Sequence, residues 1–259
     1  MNITICSLSL CYALLSSMEF SLEDPYPDFP TEDLFAMENN YRTSMWAPLS
    51  FARRRSLILL ILRVRRSRNL HRRTTYLAIN YVDRLIHSRH FPEVDHISLV
   101  AITCLSLASQ YSDSAGSFTV RGLEEEDGFV DLGPDARYRA DLQVRAALNG
   151  ELNSITPFAF LDFFILEHLF PVINGHNLEI PKFRASTILF HIQIAGENML
   201  RYKPSVIAAS ALLCAVNEMF PPPQFEEFTL AVRFSEFMDE DMLELCFVAM
   251  WETIHDDEE

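Results

Sequence analysis

The stretch VDHISLVAITCLSLASQYS, residues 94–112, is long enough for a full helix and is apolar on nearly every face. A helix without a polar face cannot lie at a surface and must be surrounded by other helices. Residues 94–112 are therefore expected to be the hub of a helical bundle. Glycine usage agrees: 7 of 259 residues are too few for a sheet fold with tight hairpins or for Gly-rich phosphate loops. Helices, where glycine is costly, have no need of more. Apolar residues make up 49% of the chain, ample for a core. No apolar run approaches the ~20 residues of a membrane-spanning helix, so a chain that crosses a membrane by helices is excluded.

Charge is unevenly placed. The net charge of −15 hides nine arginines and no acid between Arg53 and Arg73. Only Lys182 and Lys203 represent lysine, and from Phe225 to Glu259 twelve acids meet one base, Arg233. An acidic total opposes phosphate binding by the chain as a whole. The arginine block is the one place where nucleic acid retains a foothold.

The cysteines, Cys6, Cys11, Cys104, Cys214 and Cys246, form no C-x-x-C pair and lie mostly in apolar helical stretches. That reads as reduced, buried thiols in a cytosolic or nuclear protein. Zinc spacings are missing, and His87 and His90 read as satisfied or solvated side chains. Residues 1–17, MNITICSLSLCYALLSS, imitate the apolar part of a secretory signal but lack a preceding Lys or Arg. They are read as an upstream extension, with Met18 as the natural start.

Residues 19–30 are polar and Pro-rich, and are expected to be disordered. Thr31, Glu32 and Asp33 then suit the start of a short helix to about Tyr41. Further helices are expected from Pro48–Ser50 to Asn69, from Thr74 to Ser88, over 94–112, and from Ala136 to Leu148, closed by Asn149-Gly150. A short helix near 118–123 interrupts the acidic stretch 113–135. A second series opens with Thr156 as cap and Pro157 as first helical residue, and Pro181 and Pro204 open two later helices. The expected organisation is all-α: an extension and disordered segment at 1–30, a first bundle at 31–150, a second at 151–254 and an acidic tail at 255–259.

YLAINYVDRLI (Tyr76 to Ile86) followed by LVAITCLSLASQY (Leu99 to Tyr111) resembles the cyclin box. ITPFAFLDFFI (Ile155 to Ile165) and YKPSVIAASALL (Tyr202 to Leu213) resemble the second-half signatures of plant D-type cyclins. The L-x-C-x-E motif that docks retinoblastoma-type proteins is not found; Leu243-Glu244-Leu245-Cys246-Phe247 is one residue out of frame and reads as core. The chain thus looks like the short D-type branch without that motif. The resemblance implies two tandem five-helix cyclin folds with a short N-terminal helix. It also implies a regulatory subunit that activates a cyclin-dependent serine/threonine kinase and promotes cell division, in the nucleus and also the cytoplasm. Cyclin-kinase inhibitor proteins join the kinase as implied partners, direct L-x-C-x-E docking does not, and no membrane partner or cofactor is implied. The chain is expected to do no chemistry itself; no nucleophile constellation, metal spacing or phosphate loop is present.

The resemblance also assigns residues. Gln110 in LASQY and Asp141 in RADLQV match the Lys and Glu with which the family grips its kinase, both changed here, so a lysine restored at 110 is expected to tighten the complex about fivefold. Arg54 and Asp83 match an internal ion pair that positions the first two helices. Arg53, Ser56, Leu57, Leu60 and Arg63 match the patch that docks Arg-x-Leu substrates. Leu57 and Leu60 are expected to keep part of its apolar floor, while Arg63 replaces the receiving acid and repels a basic ligand. The arginine block reads as a solvated helix face, or as an import signal or a contact for an acidic partner. The competing function is a cyclin-fold transcription adaptor that touches nucleic acid through Arg53–Arg73.

Overall fold

Prolines and left-handed asparagines cut this chain into helices. The computed structural model describes residues 31–38, 51–88, 91–94, 96–112, 133–173, 177–195 and 198–255. All regular elements among them are helical, and none is long and apolar enough to cross a membrane. The first series is α1 (Thr31–Met37), α2 (Phe51–Arg68), α3 (Arg72–His87), α4 (Ser98–Ser112) and α5 (Gly133–Ala147). The second is α6 (Phe158–Phe164), α7 (Glu179–Ala195), α8 (Pro204–Met219), α9 (Pro222–Arg233) and α10 (Glu240–His255). The disordered segment expected at 19–30, the extension at 1–17, the short helix near 118–123, His90 and residues 256–259 lie outside the described residues.

Helix ends follow local chemistry. At Asn69 the backbone turns left-handed, with φ 50°, and the Leu70 amide donates back to the Arg65 carbonyl at 3.0 Å. Asn149 and Gly150 (φ 55° and 71°) close α5 in the same manner, the Gly150 amide reaching the Arg145 carbonyl at 2.9 Å. Several starts differ from the sequence reading. α3 begins at Arg72, because the His71 ring accepts the Arg73 amide at 3.3 Å. α5 begins at Gly133, where Pro134 and Asp135 suit a first turn. α7 starts at Glu179, leaving Pro181 inside the first turn where its missing N–H costs nothing. Pro157 has helical angles but flanks α6, which begins one residue later. α6 also runs on through a π-helical turn, Ile165–Leu169, into a last turn at Phe170–Ile173. The wider turn keeps Ile165, Leu169, Val172 and Ile173 buried while Leu166 and Phe170 face outward.

Two apolar clusters result. One joins α2 to α5 and Leu152, with α4 packed against α2, α3 and α5 as its hub. The other joins α6 to α10 around α8, in which every residue from Pro204 to Val216 is buried. α1 opens the first series in the chain but packs into the second cluster. Phe35 stacks on Phe237 (centroids 4.3 Å apart) and tilts against Phe160 at 4.9 Å. Both clusters lie within one compact unit, Thr31–Glu259. The connection between the series is fastened to α3: Arg84 donates to the Glu151 carbonyl at 2.7 Å and Ser154 Oγ at 2.8 Å, and the Tyr81 hydroxyl donates to the Leu152 carbonyl.

Cys104, Cys214 and Cys246 are free thiols inside these clusters. Desolvation pushes all three pKa values up; for Cys246, raised to about 12, the Arg201 charge offsets part of the effect. Thiolate is the reactive form, so these three are expected to resist Ellman's reagent at mildly alkaline pH in the native protein. They should titrate only when denaturant is added. Prompt labelling of any of the three in native protein would show that its helix opens locally.

Candidate partner-binding surface

α4 and α5 run side by side, and their outer ends carry the two residues matched to a kinase grip. Gln110 is exposed at the end of α4, and Asp141 is partly exposed on α5. The structure brings them together through a residue that the sequence reading missed. Arg145, one turn after Asp141, donates from Nε to Asp141 Oδ2 at 2.8 Å and from Nη2 to Gln110 Oε1 at 3.4 Å. The signal available in sequence was the i,i+4 spacing of an acid and an arginine on one helix. More than a third of each partner's side chain is exposed, so the pair adds about 0–1 kcal/mol to stability. It gathers three polar side-chain ends at one place on the surface. Tyr111, Tyr138 and Leu142 flank this network and are 51%, 65% and 49% exposed. Tyr138 and Leu142 are one turn apart on α5 and belong to its outer face. Large apolar side chains grouped outside a core mark a surface that another molecule covers.

Arg54 and Asp83 are placed differently. Arg54 Nε donates to Asp83 Oδ1 at 2.7 Å and Nη2 to Oδ2 at 3.1 Å, with both side chains almost fully buried. Nη2 also donates to the Gln193 carbonyl at 2.9 Å, and Gln193 Nε2 donates to the Tyr76 carbonyl at 3.0 Å. The pair therefore joins α2 and α3 to α7, beyond the two helices assigned to it from sequence. It is part of the frame and offers nothing to a ligand.

The α2 patch is only partly where the sequence reading put it. Arg53, Ser56 and Arg63 are exposed and Leu60 is half-buried, but Leu57 is 1% exposed and belongs to the first core. The outward leucine is Leu59, at 48%. Continuous apolar sequence from Leu57 to Leu62 left the phase of this helix open, and Arg54 occupies an inward position that a periodicity argument assigns to an apolar residue. Beside the first turn of α2 lies a groove with walls from Arg53 and Ser56 and a floor from Phe91, Val94 and Ile97.

The arginine block does not form one solvated face. Arg54 is internal, Arg65 lies over the Phe190 ring at 5.0 Å, and Arg72 lies over Phe183 at 5.4 Å and donates to Thr187 Oγ1 at 2.9 Å. Burial lowers the pKa of Arg65. These three hold the first series against α7. Arg53, Arg55, Arg63, Arg66 and Arg68 remain exposed. The near-miss L-x-C-x-E stretch lies in α10, with Leu243 and Cys246 buried.

Two sequence families match the chain in tandem: the cyclin N-terminal domain over residues 30–125 and the cyclin C-terminal domain over 155–259. Putative cyclin-D6-1 of Arabidopsis thaliana is 33% identical over 184 residues, covering 69% of this chain and 58% of that protein. Cyclin-D6-1 of Oryza sativa subsp. japonica is 32% identical over 211 residues, covering 78% and 64%. The matched region is thus less than two thirds of these relatives' length. A viral cyclin from herpesvirus saimiri superposes with a TM-score of 0.68 at 15% identity, over 87% of this chain and 96% of its own, which establishes the shared fold. With both halves matched in order over most of its length, the chain belongs to the cyclin family.

Proposed function

We propose that this protein is the regulatory subunit of a cyclin-dependent serine/threonine kinase, of the plant D type, promoting cell division from the nucleus and cytoplasm. It does no chemistry of its own. It contributes a surface that holds a kinase helix inward, so that the kinase's own Lys–Glu pair forms around ATP. The observation that carries this reading is the exposed group Tyr111, Tyr138 and Leu142 around the Gln110–Arg145–Asp141 network. Aromatic anchors around a polar network have the composition of an interface centre. Cyclin-kinase inhibitor proteins are proposed as further partners of the assembled pair. The patch of Arg53, Ser56, Leu60 and Arg63 is proposed to be altered, with basic Arg-x-Leu substrates disfavoured. The alternative of a nucleic-acid-binding adaptor draws no support from an arginine block in which Arg54, Arg65 and Arg72 are occupied inside the fold.

The test is a titration against a plant D-type partner kinase. Tyr138→Ala combined with Leu142→Asp is expected to raise Kd by about tenfold or more with an unchanged melting temperature. Because Arg145 already supplies a cation between the two matched residues, Gln110→Lys adds a second cation to one carboxylate. The gain expected from sequence alone shrinks, and the affinity should stay within about threefold of wild type. Normal affinity of the Tyr138/Leu142 variant would remove this face from the interface.

A further inference from the structure

We infer that the outer face of the α9–α10 hairpin binds a basic amphipathic helix supplied by a partner protein. The two helices run antiparallel: Arg233, at the end of α9, reaches Glu240 at 3.6 Å and Glu244 at 3.0 Å on α10, while the Phe225 and Phe247 rings lie 6.1 Å apart. α10 turns Leu243, Cys246, Met250 and Ile254 into the core. On its opposite side Asp241, Leu245, Val248 and Glu252 follow one another at spacings of four, three and four residues, which is one line along a helix. Leu245 is 56% and Val248 47% exposed. On α9, Phe228 and Val232 are inside, and Leu230 and Phe234, four residues apart, are 52% and 81% exposed. Single exposed leucines need no explanation. Ordered apolar rows on two packed helices are different, because they form ridges of the kind that receive a third helix.

Charge decides what that helix carries. α9, α10 and the turn between them hold eight acids and one arginine, and Glu240 and Glu244 already engage the arginine. Asp241 and Glu252, at the two ends of the apolar line, are exposed and have no hydrogen-bond or ion-pair partner among the described residues; nor has Glu226 on α9. Free carboxylates about 16 Å apart along the axis thus bracket Leu245 and Val248. A ligand that fits has a leucine-like stripe with Lys or Arg beside it at each end. A second copy fits poorly, since a two-fold contact of α10 with α10 sets like charges face to face. The same acids repel nucleic acid and anionic lipid. The inference goes beyond the kinase reading and does not depend on it: α9 and α10 belong to the second cluster, whereas the α4–α5 surface lies on the first.

The experiment is fluorescence anisotropy on the full chain without kinase. The first labelled peptide is a helix former with leucines on one stripe and lysines and arginines beside them. A second has glutamates in place of the bases, a third has serines in place of the leucines, and a fourth has the residues of the first in an order that breaks the stripe. The first is expected to bind about tenfold more tightly than each of the others, and its lead over the acidic peptide should narrow as salt rises. Leu245→Ser with Val248→Ser should weaken it by a similar factor. Asp241→Lys with Glu252→Lys should reverse the preference between the basic and acidic peptides. Both variants change exposed positions, and the two charge reversals act oppositely on the helix dipole, so the melting temperature and the kinase titration should stay unchanged. Equal or tighter binding of the acidic peptide would overturn the inference, as would binding of the basic peptide that survives both double variants. Equal binding of the broken-stripe peptide would overturn it too, because the face would then read charge alone. Sedimentation of the free chain is expected to show a monomer. A dimer that Leu245→Ser with Val248→Ser dissolves would assign the face to a second copy and overturn the inference.

Discussion

Asp83→Ala is expected to lower the melting temperature by roughly 6–20 °C, the largest effect of any single exchange considered. Asp83 has no exposed surface and holds the Nε–Nη2 edge of the Arg54 guanidinium with both carboxylate oxygens; Arg54 is 2% exposed. Removing the carboxylate strands a buried cation with one remaining described contact, the Gln193 carbonyl. Breaking such a pair costs about 3–5 kcal/mol, and each kcal/mol shifts the midpoint by about 2–4 °C in a protein of this size. The cost comes from the unpaired charge, not from a large favourable worth of the pair. Arg54→Met combined with Asp83→Leu, which removes both charges and fills the space, should therefore recover most of the loss. Thermal melts of the single and double variants decide it. An unchanged midpoint in Asp83→Ala with lost kinase binding would move this residue from the frame to the interface.

Arg54 also shows where sequence reasoning succeeds and where it stops. The hub at α4 was legible because a helix apolar all round has only one solution, and the ends of α2 and α5 were legible from Asn69 and from Asn149-Gly150. Those signals are local. Gln193 receives Arg54 from 139 residues away, and no local pattern announces that contact. Arg145 had a local signal, its spacing from Asp141, but the same spacing on a surface helix usually means a weak solvated pair. Its importance comes from Gln110 lying across on α4. The Leu57/Leu59 exchange has another cause: a run of six apolar residues carries no phase, and a buried arginine on the same helix cancels the amphipathic signal. α1 follows none of the rules of chain order. Phe35 packs among Phe160, Phe163 and Phe237 of the second series, and no comparable group of phenylalanines is found among the described residues of α2 to α5.

The same short helix supplies the second large effect. Glu38, just past α1, is 1% exposed and reaches the first turn of α8, where Oε2 accepts the Ser205 amide and Oε1 the Ser205 hydroxyl, each at 3.0 Å. Lys203 Nζ lies 3.7 Å from Oε1. The N-cap residue of α8, Lys203, makes no capping bond of its own, and Pro204 follows it. A distant carboxylate thus does the work of an N-cap, and its charge sits at the positive end of the most deeply buried of the described helices. Glu38→Ala leaves the Ser205 amide and hydroxyl without these acceptors in a site that water does not reach. Two charge-assisted hydrogen bonds lost at a cap are expected to cost about 2–3 kcal/mol, or roughly 4–12 °C in melting temperature. Glu38→Gln, which keeps an acceptor but not the charge, should lose about half as much. Ser205→Ala keeps the amide bond and should also fall short of Glu38→Ala. If Glu38 acts through Ser205, the Glu38→Ala/Ser205→Ala double variant will melt close to Glu38→Ala alone, since the two exchanges remove the same interaction. Strictly additive losses would mean that α1 is held by its phenylalanine and that α8 is capped by something other than Glu38.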